Sequence, residues 1–205
     1  MSQFSESWSK TTKTIFNGVL LYSLSGIFYA IFLPISKLGD LLSYAVDSNA
    51  FSALSTFCYI LLAGIIIGYI LYLLGLNGFS KILLPGDSAA VRKVFNAVIL
   101  VLVAEVFGYI PLLGWVGGIL RIISFILMIT GYSALKNSSS FPKRACSGAS
   151  KLFTSMILLL IGGVLGFIPL VGRFLEMPLD IIAFILTLSG WAIIKNTTPD
   201  EEISN

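Results

Sequence analysis

The sequence predicts an all-α integral membrane protein, a six-helix bundle built from two clear and one degenerate α-hairpin repeats. Three observations predict it. The first is composition: of 205 residues, 57% are hydrophobic and only 11% are charged, with a mean hydropathy of +0.95. A water-soluble domain carries about 25% Asp, Glu, Lys and Arg, so the outer surface of this chain faces lipid. The second is a set of long apolar runs, near the ~20 residues that cross ~30 Å of hydrocarbon. They are apolar on every side, whereas lipid-spanning strands alternate in polarity, so they read as helices. The third is an internal duplication. Lys93-Val94-Phe95, Ile110-Pro111-Leu112, Gly131 and Lys136-Asn137 recur as Lys151-Leu152-Phe153, Ile168-Pro169-Leu170, Gly190 and Lys195-Asn196. Pro111 maps to Pro169, 58 positions on, and Gly131 to Gly190, 59 positions on, so the second copy has one inserted residue between them.

The expected spans are residues 14–35, 51–79, 94–110, 113–135, 152–168 and 179–194. The first is longer than the ~7–15 residues of a signal-peptide core and no small-x-small cleavage site follows it, so it reads as a retained helix. The connection after it, residues 36–50, is the long one. Leu38, Leu41, Leu42 and Ala45 recur there at helical spacing and predict a short interfacial helix. The third and fifth spans are the shortest. Each ends at a proline, Pro111 or Pro169, that has no N–H to continue the helix, and Gly114 and Gly172 are expected to allow the reversal. The chain is expected to form a single transmembrane domain, 1–205, with repeats at 13–81, 91–137 and 149–196 and a disordered polar tail at 197–205.

Basic residues test the count. Lys10 and Lys13, then Lys81, Arg92 and Lys93, then Lys136, Lys143, Arg144 and Lys151, and finally Lys195 fall on one side of a six-span path. The other side has Lys37 and Arg173, with Arg121 inside a span. Cytoplasmic loops are enriched in Lys and Arg, which predicts a cytoplasmic (inner) membrane protein with both termini cytoplasmic. Tyr109 and Trp115 near the outer turn, and Tyr132 and Trp191 near inner helix ends, are the expected interfacial aromatics.

A degenerate copy leads the chain. Ile15-Phe16-Asn17 matches Val94-Phe95-Asn96, Phe32-Leu33-Pro34-Ile35 matches Tyr109-Ile110-Pro111-Leu112, and Gly75 and Lys81 echo Gly131 and Lys136. Mitochondrial carriers also hold three two-helix repeats, but their Pro-x-Asp/Glu-x-x-Lys/Arg motif is missing after Pro34, Pro111 and Pro169. The aromatic-Ile-Pro-Leu-x-Gly turn, with its inner Gly-x-x-x-x-Lys end, resembles small prokaryotic multi-pass families of unknown function. That resemblance covers about residues 91–196 and implies no activity.

Histidine is absent, which removes Ser-His and Cys-His nucleophile pairs and histidine-bearing zinc sites. The two cysteines, Cys58 and Cys146, match no metal or redox spacing. Ser23-Leu24-Ser25-Gly26 and Leu188-Ser189-Gly190 lack an activating base. Pro85-Gly86-Asp87 lacks a second intramembrane Asp, and Gly162-Gly163-Val164-Leu165-Gly166 is a poor dinucleotide match. No catalytic, metal or cofactor site is therefore expected, and a net charge of +3 is too small and dispersed for nucleic acid.

Three charges fall inside spans: Glu105, Arg121 and Asp180. An intramembrane charge costs roughly 2.5–3.5 kcal/mol on insertion scales, so each needs a reason. Glu105 and Arg121 lie at similar depth on successive helices and are expected to pair. Asp180 holds the second-copy place of Arg121, and Gly163 that of Glu105, which predicts a Glu105–Arg121–Asp180 cluster inside the bundle. It either fixes helix register, snorkels to the surface, or lines a solute or ion path. Gly64, Gly68, Gly117, Gly118, Gly162, Gly163 and Gly166 form small-residue faces for close helix packing. The expected function is non-enzymatic: interaction with protein or lipid as an assembly partner, membrane organiser or immunity-type protein. The alternative is a small-solute or ion transporter or channel. The expected partners are the lipid bilayer and a membrane protein or a second copy of the chain.

Overall fold

The computed structural model describes residues 3–42, 49–108, 110, 112–165, 168 and 172–199, with side chains left aside at 38–42, 49–52, 172, 173 and 175. Among these residues every element is helical: α1 (Gln3–Leu42), α2 (Asn49–Ile82), α3 (Pro85–Gly108), α4 (Gly114–Lys136), α5 (Lys143–Leu165) and α6 (Gly172–Lys195). Five stretches are long and apolar enough to cross a membrane: Gln3–Lys37, Ala53–Ile82, Gly114–Lys136, Lys143–Leu165 and Glu176–Lys195. α3 is not among them. Arg92 and Lys93 precede its apolar stretch, Glu105 interrupts it, and the helix ends at Gly108.

One expectation about α1 changes. α1 runs unbroken through Pro34 to Leu42, so Leu38, Leu41 and Leu42 belong to it rather than to a separate interfacial helix. Proline removes one N–H and crowds the preceding turn, but long helix on both sides keeps the winding. Ala45 lies outside the described residues.

The chain divides into two compact units. One is Thr14–Leu74; the other joins Met1–Lys13 to Gly75–Asn205. Within Thr14–Leu74, α1 and α2 run antiparallel with glycines at the crossing. Gly68 lies against the backbone of Tyr22, Gly18 against that of Tyr72, and Gly64 against Ser25. Tyr22 stacks on Tyr69 at 4.5 Å, and farther along Ser36 and Ser55 share a hydroxyl hydrogen bond of 2.9 Å.

In the second unit α3 packs along α4, α5 along α6, and α4 against α5. The Ser124 hydroxyl donates to the Ala97 carbonyl at 2.8 Å between α3 and α4, and Thr187 donates to Ser155 at 3.1 Å between α5 and α6. The largest buried side chains gather at one end of this unit: Trp8, Phe79, Val91, Val94, Leu135, Leu152, Trp191 and Ile194. Trp8 sits edge-on to Phe79 at 4.9 Å and donates its indole N–H to the Ile194 carbonyl at 3.1 Å. Tyr132 and Trp191, expected at the membrane interface, are in this core instead, edge-on at 6.4 Å. Trp115 is exposed.

Candidate functional site

Glu105 lies one turn before the end of α3, and Arg121 lies seven residues into α4, about 10 Å from its start. The two helices pack side by side, and Arg121 Nη2 donates to Glu105 Oε1 at 3.0 Å. The pair is not in an interior. Its side chains are 54% and 53% exposed, on a face carrying the exposed Val106 and Ile122. Asp180 does not join it. It sits on α6 against α5, where a Cβ on Gly162 would stand 3.6 Å from Asp180 Oδ1. Among the described residues Arg121 and Glu105 form an ion pair and Asp180 forms none. The physical reason is local: Gly163 occupies the position in α5 that Glu105 holds in α3, so the α5–α6 pair offers no counter-charge across the helix contact.

The turn between α3 and α4 uses a residue that the sequence did not single out. Leu112 takes φ of +69°, the left-handed region, with its side chain 92% exposed. Leu113 donates to the Ile110 carbonyl at 3.1 Å and then precedes α4 as its cap. Gly114, expected to make the reversal, is instead the first residue of α4 and has no positive φ. Gly172 likewise opens α6. Pro111, Pro169 and Gly166 lie outside the described residues.

The small-residue faces separate into packing and open positions. Gly64, Gly68 and Gly117 pack on neighbouring helices, the last with only 2.8 Å between a built Cβ and the Ala104 carbonyl. Gly162 makes ordinary contact, whereas a Cβ on Gly118 or Gly163 would meet nothing within 4 Å. Equally close approaches in the second unit lie outside these faces. A Cβ on Gly131 would stand 2.9 Å from the Ala90 carbonyl, and one on Gly190 would stand 2.8 Å from the Gly148 carbonyl. Gly131 and Gly190 are the matched glycines of the duplication, which is the signal that could have marked them as packing positions.

Three cavities have described linings. One of about 500 Å³ opens at the aromatic end beside Phe4, Trp8, Leu84, Phe141 and Lys143. Beside it, buried Asp87 accepts a hydrogen bond from the Ser140 hydroxyl at 2.8 Å. A second, of about 340 Å³, lies between the last turns of α2 and the first half of α3 and is lined by Asn77, Ser80, Arg92, Phe95 and Asn96. A third, of about 220 Å³, lies within Thr14–Leu74 around Tyr29, Lys37 and Cys58. Glu105, Arg121 and Asp180 line none of these three. Among the described residues no group of three or more Cys, Asp or Glu side chains is placed to hold a metal ion. No family model, curated protein or solved structure matches this chain.

Proposed function

We propose that this chain is a non-enzymatic multi-pass protein of a cytoplasmic membrane that acts by protein or lipid interaction, as an assembly partner, membrane organiser or immunity-type protein. The observation that carries this reading is the half-exposed Glu105–Arg121 pair on an outward apolar face. A path between helices requires charges directed into a shared cavity. A neutralised pair beside exposed Val106 and Ile122 suits a surface that meets lipid or another membrane helix. The side of the basic loops supports both termini in the cytoplasm. The three-hairpin repeat belongs to the same proposal. The contacts of Gly131 with Ala90 and Val94 and of Gly190 with Gly148 and Leu152 support it, because they join positions matched by the duplication.

The test is a double-mutant cycle in detergent on Glu105→Gln, Arg121→Gln and the combined variant, with ion flux measured in proteoliposomes. Each single change is expected to cost about 1 kcal/mol, and the double to recover at least half of the loss, because removing one partner strands the other charge. No variant is expected to alter flux. Parent-dependent flux abolished by Glu105→Gln would replace this reading with a transporter.

A further inference from the structure

We propose that the cavity between the last turns of α2 and the first half of α3 binds the phosphate of an anionic lipid headgroup. This rests on the membrane reading above and names the ligand class for one surface of it.

The lining is chemically one-sided. Arg92 supplies a guanidinium, Asn77 and Asn96 supply carboxamides, and no carboxylate lines the cavity. A guanidinium fork matches two phosphate oxygens, and each carboxamide adds N–H donors. Among the described residues the Arg92, Asn77 and Asn96 side chains make no hydrogen bond or ion pair. The Ser80 hydroxyl is already directed to the Asn77 carbonyl at 2.9 Å and closes the floor. The acid of the same helix, Asp87, is buried, accepts from the Ser140 hydroxyl and does not line this cavity.

Position selects a lipid. The cavity sits where the apolar stretch Ala53–Ile82 ends, flanked by exposed Lys81 and Lys93. Basic residues immediately beyond a span lie at headgroup level. Below the polar end, α3 presents exposed Ile99, Val103 and Val106. These follow Arg92 and Asn96 at helical spacing, so one strip of α3 carries an anion-binding head and an apolar track. That is the amphipathic outline of a phospholipid. Phe95 lines the cavity at the junction between the two.

The experiment is binding of phosphatidylglycerol to the full chain in phosphatidylcholine nanodiscs, with inorganic phosphate as competitor. Arg92→Gln is expected to weaken binding about tenfold, Arg92→Lys less, and Asn77→Ala with Asn96→Ala about threefold. Lys143→Gln, a basic change at the other cavity, is expected to leave binding within about twofold. Tm in neutral detergent checks that each variant is folded. Equal weakening by Arg92→Gln and Lys143→Gln would overturn the proposal in favour of diffuse charge attraction. Competition by millimolar inorganic phosphate would overturn the lipid as source while keeping the phosphate chemistry. Extraction of the parent from membranes by alkaline carbonate would sink the membrane reading itself, a failure separate from loss of lipid selectivity.

Discussion

At the scale of single residues, the turn after α3 stores strain where none is needed for packing. Leu112 holds a left-handed φ of +69° with its side chain almost fully exposed. An L side chain there costs about 1–2 kcal/mol, and glycine does not pay it, although glycine loses more entropy on folding. Leu112→Gly is therefore expected to stabilise the protein by about 0.5–1 kcal/mol, read as a higher Tm in detergent. A fall in Tm would mean that the leucine is held by contacts beyond this chain. The same scale explains Trp8. It lies in a polar N-terminal segment, yet Ser5, Trp8 and Thr12 are buried at helical spacing. Polar neighbours interrupt that stripe, so it does not stand out as an apolar run.

At the scale of elements, helix pairing is set by where two backbones touch. Gly148 and Gly190 approach so closely that a Cβ on either would stand 2.6–2.8 Å from the other's carbonyl oxygen. Gly190→Val should separate α5 from α6 and cost about 1–3 kcal/mol, as overpacking does. Gly163→Ala meets open space and should be neutral or slightly stabilising, since alanine favours helix over glycine. Thermal unfolding of both variants in one detergent checks the contrast, and equal Tm losses would refute this assignment of packing faces. Glycine motifs alone did not separate Gly117 from Gly118, because adjacent residues on a helix point about 100° apart and only the neighbour's position decides which is covered.

At the scale of the whole molecule, the basic-loop pattern predicts which ends share a side of the membrane. In a Cys58→Ala, Cys146→Ala background, a membrane-impermeant maleimide is expected to label Leu112→Cys in intact cells and Ser138→Cys only after permeabilisation. Labelling of both from outside would overturn the orientation. Composition and apolar run length determined the helical class, because lipid demands internally satisfied backbone and an apolar exterior over ~20 residues. Spacing from Pro111 and Gly114 also brought Glu105 and Arg121 to comparable depth. Tertiary structure decided the rest. Depth along a helix says nothing of azimuth, so only packing placed that pair on an exposed face, left Asp180 with Gly162, and carried Tyr132 and Trp191 into the core. Proline does not by itself end a helix: α1 continues through Pro34, with helix on both sides. Apolar residues look alike in sequence whether they meet lipid or another helix, and only the neighbours they acquire on folding tell the two apart.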